Sequence, residues 1–387
     1  MSSAGLAPYA FADASVPKQW YLQSMQAAEM WKTSTGSGIK VAVVDTGVNA
    51  NTSSLEGQVL SQDVPSAAAY GATKDYDGHG TTMAELIAGT GQGGGLKGLA
   101  PDAKIIPFRV VLSTLKDPAE KKLTQQPAAA IRAAADSDAK IISMSFGAPT
   151  TDQATKDAVK YAAAKGKLMF AGAGNDEEKH EGFVAFPAAL PEVVGIGAAD
   201  ANGNAAKFSQ SGDYLDLASP GLNVPGWCDA TFQKYCDSAG TSAATALTSA
   251  SAALIWSAHP AWTANQVLRA MIDTAARNWD KSTPSKYFGY GLIRPRLVLE
   301  QRDINPGPPN VDPLSGDSVA GGAAASDRPG SGAAKGPAPQ DPAPKAAADA
   351  KHVGGSGQLW GAVGIGAGVL VIGGGALAVL RARRRRN

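Results

Sequence analysis

Of the four histidines in the chain, only His79 lies between glycines, in Asp77-Gly-His79-Gly-Thr-Thr82. Flanking glycines let a backbone pass close to another group, and an imidazole offered from the first turn of a helix can serve as a general base. His180 sits in a charged segment, His259 precedes Pro260, and His352 falls in a Pro- and Ala-rich stretch, so each reads as solvated or structural. Asp45 closes the apolar run Val41-Ala-Val-Val and is followed by Thr-Gly, at a strand's carboxyl end, where α/β proteins build their sites. Taken alone it is equally a turn-forming Asp. Ser242, in Gly240-Thr-Ser242-Ala-Ala244, opens a long helical stretch. There the unshared N–H groups and the positive end of the helix dipole favour an oxyanion, although for a lone Thr-Ser pair a helix cap is by far the commoner role. Together and in this order the three side chains could carry acyl transfer: serine attacks, histidine moves the proton, aspartate orients the ring.

The elements that would have to position them are legible as period and composition. β-Branched runs predict strands over 39–45, 104–110, 139–146, 167–171 and 193–197. Between and after them, helical periodicity covers 123–136, 152–165, 241–257 and 263–277. Alternating strands and helices, with strands that are nearly continuously apolar, imply one α/β domain with a parallel sheet covered on both faces.

Composition then divides the chain. Residues 20–303 read as the catalytic domain, and 1–19 as an N-terminal extension in which Ala10-Phe11-Ala12 resembles a small-residue cleavage site. Residues 304–358 are dominated by Pro, Gly, Ala, Ser and Asp and read as a disordered linker. The segment 359–380 contains a run from Trp360 to Leu380 with no charged residue, long enough at ~1.5 Å per residue to cross a bilayer core of ~30 Å. Gly364 and Gly368 in it form a Gly-x-x-x-Gly pair. Arg381, Arg383, Arg384, Arg385 and Arg386 follow in the tail 381–387, which orients the span with its C-terminus in the cytoplasm and the catalytic domain outside, single-pass in a cell membrane. Cys228 and Cys236 are either two buried thiols or a disulfide closing a short loop. Their even count, together with the signs of export, favours the disulfide.

Four segments taken together resemble the signatures of subtilases, the subtilisin-like serine proteases of peptidase S8 type: Val41 to Val48, His79-Gly-Thr, Gly240-Thr-Ser242-Ala-Ala, and Phe170-Ala-Gly-Ala-Gly-Asn175. The order Asp, His, Ser is that of subtilisin. The resemblance covers about residues 20–300. It implies a three-layer subtilisin-like fold and a serine endopeptidase with Asp45, His79 and Ser242 as triad, and with Asn175 and the Ser242 N–H as oxyanion hole. By the same analogy Ser143, Ser145, Phe146 and Gly147, on an edge strand, would pair with substrate backbone, and Gly172, Ala173 and Gly174 would line the pocket for the residue before the cut. Subtilases usually carry Pro four residues after the serine. This chain has Ala246 there, which removes a stiffener but no catalytic group.

Within subtilases the layout is similar to mycosins, membrane-anchored proteases associated with type VII secretion. Gln19-Trp20-Tyr-Leu, Met30-Trp31 and Ser34-Thr-Gly-x-Gly38 carry that likeness, with the Pro-rich linker and single C-terminal span. The expected partners are protein or peptide substrates, a type VII secretion membrane complex, and the lipid bilayer. A general degradative surface protease and a mainly structural subunit of the secretion complex are the alternatives. Near balance of 35 basic and 34 acidic residues gives no global field to recruit nucleic acid. No metal-ligand pattern is read, and triad chemistry needs no cofactor.

Overall fold

The chain is described by a computed structural model over residues 18–301 and 303–318. The N-terminal stretch up to residue 17, the linker beyond 318, the span with Gly364 and Gly368, and the basic tail lie outside the described residues. Among the described residues, no helix is long and apolar enough to cross a membrane.

In chain order the elements are α1 (Trp20–Ser24), α2 (Ala27–Met30), β1 (Lys40–Asp45), α3 (His79–Ala88), β2 (Lys104–Arg109), α4 (Pro118–Leu123) and α5 (Pro127–Asp136). Then follow β3 (Ile141–Met144), α6 (Gln153–Ala164), β4 (Leu168–Gly172), β5 (Val194–Ala199) and β6 (Leu217–Pro220). The hairpin β7 (Leu222–Trp227) and β8 (Tyr235–Ala239) leads into α7 (Thr241–Ala258), α8 (Ala264–Thr274) and α9 (Pro295–Glu300).

The six strands of the main sheet run in the order β2-β1-β3-β4-β5-β6, with every pair parallel. The chain leaves β1 towards β2 on one side and returns to β3 on the other. The carboxyl end of β1 is therefore the switch point at which such sheets leave a crevice, and Asp45 ends that strand.

Side-chain alternation assigns the layers. Val41, Val43, Ile105, Ile141 and Phe170 face a core shared with α3, α7 and α8, where Leu86, Leu247 and Val267 lie. Ala42, Val44, Ile106, Phe108 and Met144 face the opposite core against α5 and α6, with Ile131 and Val159. This is a subtilisin-like three-layer arrangement, with a parallel sheet covered by helices.

Almost all of α7 is buried although it is rich in Ser and Thr. Three of its hydroxyls find acceptors within the helix: Thr245, Thr248 and Ser251 each donate to the carbonyl four residues back, at 2.8 Å, whereas Ser249 Oγ has no partner among the described residues. Such back-bonding satisfies a hydroxyl that would otherwise cost about 1–3 kcal/mol to bury.

The segment read as linker from residue 304 is docked in its first part. The carbonyls of Gly307 and Pro309 accept from Gln266 Nε2 (2.9 Å) and Thr263 Oγ1 (2.9 Å) on and beside α8, and that of Val311 accepts from Arg269 Nη2 (3.2 Å). Ile304 and Leu314 pack against the core. Composition concealed this because the contacts are made by backbone carbonyls, which every residue type carries.

Candidate active site

The candidate base, His79, is the first residue of α3, and its Nδ1 lies 2.7 Å from Asp45 Oδ1 at the end of β1. Such closeness requires Gly80. A Cβ there would lie 2.1 Å from the Gly47 carbonyl oxygen and 3.1 Å from Asp45 Cβ, so any side chain would push α3 off the sheet. Asp45 is fully buried; its Oδ1 also accepts from Thr46 N (2.7 Å), while Oδ2 has no hydrogen-bond partner among the described residues. An anion so sparsely neutralised directs its field at the imidazole. Burial opposes charge on the ring, but the charge and hydrogen bond of Asp45, with the charges of Asp77 and Asp75, outweigh it and hold the His79 pKa up at about 9.

Sequence reading missed Asp75, the carboxylate that organises this loop. Its Oδ1 accepts from Thr46 Oγ1 (2.7 Å) and from the N–H groups of Asp77 and Gly78 (both 2.9 Å). Oδ2 accepts from Thr81 N (2.8 Å) and Thr81 Oγ1 (2.7 Å). Gly78, at the N-cap of α3, has no side chain to satisfy the first N–H groups, so Asp75 supplies that anion from outside the helix. Burial pushes its pKa up against the pull of these bonds. The signal was present in Asp75-Tyr-Asp-Gly-His, but it reads as an ordinary turn.

The nucleophile candidate, Ser242, is the second residue of α7. Its hydroxyl donates to the Ser145 carbonyl (3.1 Å), and Ser145 Oγ donates to the Ser242 carbonyl at the same distance. The hydroxyl is thus directed at Ser145 and not at the imidazole. Hydrogen bonds in substrate-free sites commonly tighten only when substrate binds.

Asn175 is exposed, just past β4, and its amide oxygen accepts from Thr241 N (2.8 Å) and Thr241 Oγ1 (3.0 Å). Because Thr241 N–H can only donate, these bonds fix the amide with its NH2 turned the other way. A Cβ on Gly240 would lie 3.3 Å from that Nδ2 and 3.7 Å from Ser242 N. The Asn175 NH2 and the Ser242 N–H thus lie near one another, and two such donors could serve an oxyanion.

One expectation is corrected. Ser143 is not on an edge strand: it pairs with Val43 of β1 and Phe170 of β4, and it is 1% exposed. Both its strand edges are occupied, so no substrate backbone can pair there. Ser145 is buried, Phe146 half-buried and Gly147 exposed as the chain leaves the sheet. Gly172 and Ala173 are buried and Gly174 half-buried. The two segments adjoin, since a Cβ on Gly147 would lie 3.8 Å from the Gly172 carbonyl oxygen. Cys228 and Cys236 form a disulfide across the β7–β8 turn.

The profile of the Subtilase family, peptidase S8, matches residues 36–291. This chain belongs to the subtilase family. It is a serine endopeptidase by that membership. Subtilisin E of Bacillus subtilis is 33% identical over 271 residues, 69% of this chain and 67% of that protein. Among solved structures, this subtilase is similar to the MycP3 protease from the type VII (ESX-3) secretion system, at TM-score 0.60 and 26% identity, over 76% of this chain and 90% of that one. MycP1 from Mycobacterium smegmatis matches at TM-score 0.60 and 25% identity, over 78% of this chain and 89% of that one. Mycosins are thus among its structural neighbours.

Proposed function

We propose that Asp45, His79 and Ser242 are the catalytic triad of this subtilase, with Asn175 and the Ser242 N–H as its oxyanion hole. The 2.7 Å pairing of His79 Nδ1 with Asp45 Oδ1 carries the reading, because it leaves Nε2 as the nitrogen that can take a proton. Ser242 Oγ bonds to the peptide carbonyl carbon as its proton passes to His79. The tetrahedral oxyanion is held by Asn175 and Ser242 N–H, the C–N bond breaks, and His79 protonates the departing amine. Water then attacks the acyl-enzyme, His79 takes its proton, and Ser242 regains one as the acid leaves. Ser145, Phe146, Gly147 and Gly172 to Gly174 border the substrate.

The reading extends to place: an enzyme held by a 359–380 anchor on a linker, catalytic domain outside, processing exported proteins at a type VII secretion system. Similarity to MycP3, a protease of such a system, supports it, together with the uncharged run and the arginines after it.

Ser242→Ala is expected to abolish fluorophosphonate labelling and to lower peptide hydrolysis by roughly 10⁴- to 10⁶-fold. Asn175→Ala is expected to lower kcat by roughly 100- to 1000-fold with KM little changed. Full hydrolysis by Ser242→Ala would sink the triad. In cells, assembly of the secretion complex with unprocessed exported proteins in Ser242→Ala is the expected pattern, and unchanged processing would count against the proposed role.

A further inference from the structure

The β7–β8 hairpin connects with both elements that carry the partners of the proton transfer, α3 and α7. On one side β8 runs through Gly240 and Thr241 straight into Ser242. On the other side β7 lies against α3, the helix that begins with His79. Trp227 N donates to Thr82 Oγ1 (2.9 Å), and that hydroxyl donates to the carbonyl of Gly78 (2.9 Å), the residue before His79. Thr82 is 4% exposed, and there is no slack beside it: a Cβ on Gly226 would lie 2.7 Å from its methyl carbon. One turn further along α3, Glu85 Oε2 accepts from Tyr235 OH (2.8 Å), and Oε1 accepts from Thr52 Oγ1 (2.7 Å).

The two hairpin residues that grip α3, Trp227 and Tyr235, face each other in the ladder, and their rings stack 3.9 Å apart. Each immediately precedes a cysteine of the Cys228–Cys236 disulfide. The crosslink therefore closes the hairpin at the residues that hold the helix.

We infer that this disulfide-closed hairpin sets the spacing between base and nucleophile, and that Thr82 is the positioning residue through which it does so. The inference rests on the triad reading. A single hydroxyl makes both contacts, accepting from β7 and donating to the turn that presents His79. Misplacing a base by about 1 Å is enough to cost about 100-fold in rate. A hairpin that only stabilised the fold would change how much enzyme is folded and leave turnover per folded molecule alone.

The test uses the full chain, with active sites counted by fluorophosphonate titration so that kcat refers to folded, reactive enzyme. Thr82→Val removes the hydroxyl at similar volume and is expected to lower kcat about 10- to 100-fold with KM within about twofold. Thr82→Ser keeps the hydroxyl and is expected to restore kcat to within about twofold. The pair Cys228→Ala and Cys236→Ala is expected to lower kcat by a similar factor, and less than additively when combined with Thr82→Val, because both act on the contact between Trp227 and Thr82. Should that pair fail to fold, phosphine reduction of the folded enzyme gives the same readout as thiols appear. Wild-type kcat per titrated site in Thr82→Val and after loss of the disulfide, whatever the change in Tm, overturns the inference, and so does strict additivity. Ser242→Ala separates the two readings. If it hydrolyses peptide, the triad and this inference fall together; if it is inert while Thr82→Val turns over normally, only the positioning role falls.

Discussion

Under the proposed triad, His79 is placed so that the interaction that orients it also opposes its role as base. A general base must be neutral, yet burial is outweighed by the anions of Asp45, Asp77 and Asp75, and the pKa is held up at about 9. kcat/KM is therefore expected to rise with pH through about 9, close to tenfold per unit below it. Stability runs the other way. The folded-state pKa lies above the ordinary value of 6.5, so the ion pair contributes fully below about 6.5 and its contribution is lost as pH rises through about 9. Initial-rate profiles and melting curves across pH 6–10 read both trends. Asp45→Asn should lower the rate and return the midpoint towards 6.5; a midpoint that stayed near 9 would mean that Asp45 does not set it.

At the scale of elements, the decisive contact is the approach of α3 to the end of β1. Gly80 permits it, with Gly47 and Asp45 directly against the place a side chain would take. Gly80→Ala is expected to move the helix outward, lower kcat/KM by about 100-fold or more, and bring the kinetic pKa of His79 down as Asp45 recedes. A variant with wild-type rate and profile would show that the spacing of α3 and β1 is not what pairs the two residues. The first turn of α7 is held independently, by Asn175 accepting from Thr241 N and Oγ1, so the donors beside Ser242 should survive that change.

For the molecule as a whole, the boundary of the folded domain lies further along than composition implied. Gly307, Pro309 and Val311 give their carbonyls to residues on and beside α8, and Leu314 packs on the core. A chain ending after Ser318, supplied with an export signal, is expected to be a soluble, active protease. One ending after Asp303 should melt several degrees lower, at about 2–4 °C per kcal/mol lost, with kcat/KM within about twofold. Equal melting temperatures would mean the segment adds nothing to the domain. Under the proposed topology, protease added to intact cells cuts the full chain between residues 319 and 358. Protection until lysis would reverse the topology and remove the secretion role with it.

The sequence by itself determined the elements and the chemistry they bring. Five strands and four helices were legible because apolar period and β-branching are local properties. Asp45, His79 and Ser242 stood out because glycines and strand or helix ends mark them along the chain, and Asn175 because its segment resembles a subtilase signature. It could not reveal β6, β7 and β8, which are short or interrupted by Pro220, Pro225 and Gly226 and exist through their pairing partners. Nor could it place Ser143 inside the sheet, since strand order is a tertiary fact. Tertiary structure alone made Asp75 an anchor of the His79 turn and Thr82 a link to the hairpin. Thr82 depends on the Trp227 N–H, and Asp75 in part on Thr46 Oγ1, donors that arrive from distant parts of the chain, and no local pattern records which donor a buried oxygen will meet.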